Sequence, residues 1–173
     1  MKFEAILVKL NTRFPGAAFV VGDTKPEPFL SVTKDKIYEV IEYLKKDLSF
    51  ETLGSISGVD YPARPGYEVV YHVVSYTHKT HICLKVLLPR QDGVSVPTIC
   101  TLYKAANWLE RETYDMFGIH FDGHPDHRRI LCPEDWVGFP LRKDFVTPDF
   151  YLGMPVPLVF GDHQETVPAE GGH

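Results

Sequence analysis

The feature that most constrains this chain is a change of character at Gly118. Upstream, apolar residues recur at helical or strand spacing. Downstream that periodicity stops, yet the aromatic residues continue. Half of the 14 prolines lie beyond residue 120, and residues 119–160 still carry seven rings: Phe121, Trp136, Phe139, Phe145, Phe150, Tyr151 and Phe160. Disordered segments are poor in aromatics, and a compact domain rarely includes so long a stretch without secondary structure. An extended arm over 119–160, its rings buried against another surface, satisfies both constraints. Residues 161–173 (GDHQETVPAEGGH) read as a frayed, solvated tail.

Residues 1–118 read as an α+β domain. Phe3, Ile6, Leu7, Leu10 and Phe14 predict a short amphipathic helix that Pro15-Gly16 ends. Ala17–Val21 and Phe29–Val32 are β-prone runs. Thr33 offers an N-cap to a second helix whose apolar face is Ile37, Val40, Ile41, Leu44 and Leu48, with Glu42 and Lys46 paired outside. Phe50–Val59 reads as a strand weakened by Gly54 and Gly58. Tyr67–Tyr76 is apolar on both faces, which suits a central strand. Thr80–Leu88 alternates, and the short link Thr77-His78-Lys79 makes the last two a hairpin. A third helix is expected over roughly 102–117, with Thr101 as cap, a buried stripe of Leu102, Ala105, Ala106, Leu109, Thr113 and Met116, and Gly118 at the C′ position. The expected fold is thus a mostly antiparallel or mixed sheet with two or three helices on it, plus the long arm.

Composition excludes several classes. A chain of 173 residues is one domain with an appendage, and with 44% hydrophobic residues it needs no staples. The net charge of −5 argues against a nucleic-acid binder. No apolar run approaches the ~20 residues of a membrane span, and Met1–Ala5 lacks a signal-peptide layout. The three cysteines, 83, 100 and 132, are too few for an all-cysteine iron–sulfur cluster and form no Cys-x-x-Cys. Neither dinucleotide nor Walker glycine loops are present, and neither Cys83, in a strand, nor Cys132, before a proline, has the surroundings of a nucleophile.

Two clusters remain. Glu110, Glu112 and Asp115 put three carboxylates in the last two turns of the third helix, where the dipole disfavours negative charge by ~0.3–1 kcal/mol each. Arg111 offsets part of this. The arm supplies Arg128, Arg129, Arg142 and Lys143, so the arm is expected to fold back and bring these cations to the three acids. The alternative is a solvated helix end, since exposed pairs contribute little. A paired-carboxylate mechanism for Glu110 and Glu112 fails, because residues two apart on a helix do not face each other. His120, His124 and His127 form H-x3-H-x2-H, a set able to bind zinc; the alternative is hydrogen-bonded or exposed loop histidines, and no metal is expected. His72 and His81 fall on strands.

The run Glu110-Arg-Glu-Thr-Tyr-Asp-Met-Phe-Gly-Ile119, followed by His124-Pro-Asp-His-Arg-Arg-Ile-Leu131, Pro133-Glu-Asp-Trp136 and Pro140-Leu-Arg-Lys-Asp-Phe145, resembles the C subunit of the proton-pumping respiratory NADH:quinone oxidoreductase, complex I. Gly58-Val-Asp-Tyr61, Tyr67–His72 and Ala105–Trp108 are also similar to that family. The resemblance runs from the first helix to about Phe145, with His127 standing where the family has an aliphatic residue. The chain looks like the stand-alone form, not the one fused to the large quinone-site subunit (the D subunit).

The resemblance implies a peripheral-arm subunit without a cofactor of its own. In the family, FMN and iron–sulfur clusters on partner subunits carry electrons from NADH to quinone. The C subunit packs against the large quinone-site subunit and neighbouring cluster carriers, at the cytoplasmic face of the bacterial inner membrane, peripheral and without a span. The signature residues by position are Glu110, Arg111, Glu112, Tyr114, Asp115, His124, Arg128, Arg129, Trp136, Arg142, Lys143 and Asp144. Their implied role is to fix the helix-to-arm corner and the subunit interface, with no catalytic residue. The competing readings are the equivalent subunit of a membrane-bound hydrogenase or ferredoxin–quinone pump, and a stand-alone metal enzyme built on the three histidines.

Overall fold

The computed structural model describes residues 2–15, 19–24, 27–61 and 66–156. The tail 161–173, Phe160, and the first two residues of the expected run 17–21 lie outside them. The apolar repeat near the N-terminus forms α1 (Phe3–Arg13), which buries Ile6 and Leu10 and leaves Phe3, Leu7 and Phe14 half covered. The hairpin β1 (Val20–Thr24) and β2 (Glu27–Ser31) comes next. After one 3-10 turn comes α2 (Ile37–Lys46), which buries Ile37, Val40, Ile41 and Leu44 and pairs Lys46 with Glu42 outside at 2.7 Å. Thr33 stands before that turn, but its hydroxyl makes no capping bond.

Three long strands carry the sheet: β3 (Thr52–Tyr61), β4 (Gly66–Ser75) and β5 (Thr80–Pro89), paired antiparallel in sequence order. The sheet runs β1-β2-β5-β4-β3, and β2 joins β5 in parallel, so it is mixed. On β5 the alternation resolves as expected, with Ile82, Leu84, Val86 and Leu88 in the core beside Tyr67, Val69, Tyr71 and Val73 of β4. At ~1.5–3 kcal/mol for each large apolar side chain buried, this face dominates the stability of the fold.

The chain continues through β6 (Ser95–Pro97), α3 (Ala106–Phe117) and β7 (His120–Asp122), which lies parallel to β6, and ends its described part with a two-stranded ribbon, β8 (Phe150–Tyr151) and β9 (Met154–Pro155). Three expectations are corrected here. First, α3 begins at Ala106, because Leu102 and Tyr103 turn back on the Ile99 carbonyl, and no side chain caps it. Second, of the expected stripe Ala106 and Thr113 are buried and Leu109 and Met116 are half covered against the core, but Glu110, Arg111, Asp115 and Phe117 are buried on the same helix. Third, short strands interrupt the arm, and the core takes in Ile119 and Phe121.

Candidate interface and arm clamp

The C-terminal turn of α3 is built to hold the arm against the helix. Gly118 has φ 72°, the left-handed conformation that ends the helix at no Cβ cost. A Cβ there would lie 2.5 Å from both the Arg142 guanidinium and the Phe139 ring, so the glycine is required twice over. The turn sends the chain back across its own helix.

Asp115 is the centre of the returning segment. Its side chain is fully buried. One oxygen accepts the N–H groups of Ile130, Leu131 and Cys132 at 3.1, 2.7 and 2.8 Å. The other accepts Arg129 at 2.6 Å. Burial alone would raise its pKa, but the N–H groups of Cys132 and Leu131, the Arg129 guanidinium and the Ile130 N–H outweigh it and hold the carboxyl below its usual range. Hydrogen bonds to a charged acceptor contribute ~1.5–3 kcal/mol each, which exceeds the ~0.3–1 kcal/mol dipole cost of an acid at this end. Arg129 also donates to the Gly138 carbonyl at 2.9 Å and stacks on Phe139, which Arg142 covers as well, at 4.4 Å. Arg142 donates to the Phe117 carbonyl and to Asp92, both at 2.7 Å. Arg111 donates to the Arg128 carbonyl at 3.1 Å and pairs with Asp126 at 3.4 Å.

Glu110 faces the opposite way and is equally buried. It accepts the Thr98 hydroxyl at 2.5 Å, the Ile99 N–H at 2.8 Å and the Cys100 thiol at 3.3 Å. Here burial outweighs the hydrogen bonds and raises the pKa. The two carboxylates therefore do different jobs: Glu110 ties α3 to the segment before it, and Asp115 ties α3 to the arm after it. Glu112 is exposed and has no cation among the described residues, so the arm's cations do not serve all three acids. Arg128 is exposed and pairs with Asp126, while Lys143 contributes its backbone N–H to Asp60 at 2.8 Å.

The histidines do gather. His120 stacks on His127 at 5.1 Å, Tyr114 lies 4.2 Å from His127, and His124 meets His127 edge-on at 5.7 Å. Backbone groups engage the nitrogens of His124 and His127. His127 Nε2 accepts the Phe121 N–H at 3.1 Å, and burial followed by the neighbouring imidazoles lowers its pKa. His124 Nδ1 accepts the Asp126 N–H at 3.0 Å, which assigns the ring proton to Nε2 and so to the Asn107 carbonyl at 3.1 Å. Among the described residues one trio of donor atoms lies within 4.8 Å, and it is Cys100, Glu110 and His124 rather than the three histidines. Every donor in that trio is already engaged, and burial pushes the Cys100 thiol up to about 12, so the trio is a hydrogen-bonded clasp as it stands.

Sequence reasoning missed Asp60, Arg90, Asp92, Thr98 and Asn107. Buried Asp60 accepts Arg90 at 2.8 Å as well as the Lys143 N–H, and Arg90 reaches Asp144 at 3.2 Å. Only the Gly58–Tyr61 similarity pointed there; the other residues join partners distant in the chain and leave no sequence pattern. Trp136 is half-buried on Tyr151 at 5.2 Å, with its ring N–H unbonded. Leu131, Val137, Leu141, Val146, Phe150, Leu152 and Met154 are all exposed on the arm. Among the described residues no helix is long and apolar enough to cross a membrane.

Comparison with known proteins agrees with this arrangement. Residues 30–151 match the family model described as respiratory-chain NADH dehydrogenase, 30 Kd subunit. The chain is 44% identical to the C subunit of the F(420)H(2) dehydrogenase of Methanosarcina mazei, over 84% of this chain and 92% of that one. It is 44% identical to the C subunit of the NADH-quinone oxidoreductase of Roseiflexus sp., over 80% and 81%. A chain of the membrane-bound sulfane sulfur reductase, an archaeal respiratory membrane complex, superposes with a TM-score of 0.71 at 30% identity, over 84% of this chain and 86% of that one. The match takes in β3 to β5, α3 and the clamped arm together, and on that extent the chain belongs to the family of the 30 Kd subunit of respiratory-chain NADH dehydrogenase.

Proposed function

We propose that this chain is a cofactor-free structural subunit in the peripheral arm of a proton-translocating NADH:quinone oxidoreductase. It packs against the large quinone-site subunit and neighbouring cluster-carrying subunits at the cytoplasmic face of the plasma membrane. FMN and iron–sulfur clusters belong to those partners and move the electrons. The observation that carries this reading is a division of labour: charged groups of α3 and the arm are spent holding the arm in place, while seven large apolar side chains of that arm face outward. A rigid scaffold that displays apolar surface is what a permanent protein contact needs.

A second reading changes only the electron donor. The likeness to the F(420)H(2) dehydrogenase subunit is as high, at 44%, as that to the NADH-quinone oxidoreductase subunit. The family's signature segment does not choose between them, because donor chemistry resides in other subunits. Purification of the tagged chain from detergent-solubilised membranes, with mass-spectrometric identification of its companions, tests both. The expected result is a large quinone-site subunit and cluster carriers, with the donor module naming the donor. Recovery of the chain alone, with activity of its own, would contradict the proposal.

A further inference from the structure

Among the described residues, the ribbon of β8 and β9 is anchored through Tyr151. Tyr151 stacks on Trp136, and its hydroxyl donates to Asp135 at 2.8 Å. The two residues joining the strands, Leu152 and Gly153, have φ of 50° and 79°. Two successive positive φ values make the tight turn that matches strand twist, and Asn-Gly or Asp-Gly is the pair that adopts it easily. Leucine does not, because its Cβ crowds the following carbonyl in left-handed backbone. The described residues return nothing for that strain: Leu152 is 73% exposed, flanked by Phe150 at 66% and Met154 at 61%. Strain of this kind persists where a function selects the residue.

The surroundings give the sign of the partner. Glu134, Asp135 and Asp149 are exposed at the base of the ribbon, and none has a cationic partner among the described residues. Leu152 and Met154 also lie past the family match, which ends at residue 151, so the family alone does not imply them. We propose that Leu152, flanked by Phe150 and Met154, is an apolar knob that enters a socket with a basic rim on a neighbouring subunit. The inference rests on the assembly role proposed above. It explains why the turn carries a leucine where an asparagine would fold with less strain, and why three acids beside it pair with no cation among the described residues.

The test is Leu152→Asn in the full-length chain, read two ways beside the wild type: the thermal midpoint of the isolated chain, and the amount that co-purifies with partners from solubilised membranes as salt is raised. The expected midpoint is unchanged or higher, while co-purification falls about tenfold or more, the loss of one buried leucine. Phe150→Gln acts in the same direction, and wild-type association weakens with salt as the acids are screened. Leu152→Asn assembling like the wild type overturns the knob alone. A lower midpoint also overturns it, since the leucine would then serve its own fold. A wild-type chain that gathers no partner overturns the assembly role and the knob together.

Discussion

The body and the arm solve the same problem in opposite ways. In the body, apolar side chains meet one another, and the helices and sheet close over a single cluster. In the arm the interior is polar: Asp115, Arg129 and Arg142 fix the path. Of the arm's rings among the described residues, Phe121 alone joins the core, while most of its large aliphatic residues face outward. A segment without secondary structure cannot satisfy its backbone groups internally. Asp115 does that work by taking three consecutive N–H groups. The lesson is that an irregular segment becomes rigid when one buried charge replaces a ladder, and its apolar side chains are then free for another purpose.

Breaking Asp115 is expected to have the largest effect. Asp115→Ala leaves Arg129 half-entombed and three N–H groups unbonded, and it should lower stability by about 3–5 kcal/mol, with the arm becoming the first site of protease cleavage. Urea unfolding and limited proteolysis read both. Glu110→Ala is expected to cost about 2–3 kcal/mol, by leaving the Thr98 hydroxyl and Ile99 N–H unsatisfied, and to loosen the segment before α3 rather than the arm.

Acid separates the two carboxylates by sign. The folded pKa of Glu110 is raised, so its contribution is present below the ordinary value of 4.5 and is lost as pH rises through the folded value. The wild type should therefore gain stability relative to Glu110→Gln as pH falls through that window. The folded pKa of Asp115 is lowered, so its contribution is present above the ordinary value of 3.8 and is lost as pH falls through the lower folded value. Chemical unfolding of the wild type, Glu110→Gln and Asp115→Asn across acidic pH checks both slopes.

Smaller changes sharpen the contrast. Tyr151→Ala removes the ring beneath the ribbon and should cost about 1 kcal/mol, confined to exchange of amides near the ribbon in the assembled complex. Glu112→Gln should change the stability of the isolated chain by no more than about 0.5 kcal/mol, since its carboxylate is exposed and pairs with no cation among the described residues.

How far the sequence spoke follows the same division. The apolar period of α2, the alternation of β5 and the β4–β5 hairpin were legible because apolar burial writes a pattern along the chain. The start of α3 was not, because Leu102 and Tyr103 keep helical spacing while folding into a separate turn. The expectation that arm cations meet the acids held for Arg129 with Asp115, where opposite charges are readable. It failed for Glu112, and Glu110 accepts its hydrogen bonds from residues 98–100 upstream, with His124 of the arm 3.9 Å away. Contacts to backbone N–H groups carry no residue identity, so the Asp115 clamp left only the clustering of acids and arginines as its trace.

The arm, on this view, is held by its own body at one end and by a neighbour at the other. Amide hydrogen exchange, compared between the isolated chain and the assembled complex, is the sharpest check. Residues 130–132 should be protected in both states, and residues 146–156 should be slow to exchange only in the complex. Equal protection of 146–156 in the two states, or unprotected 130–132 amides in the isolated chain, would contradict it.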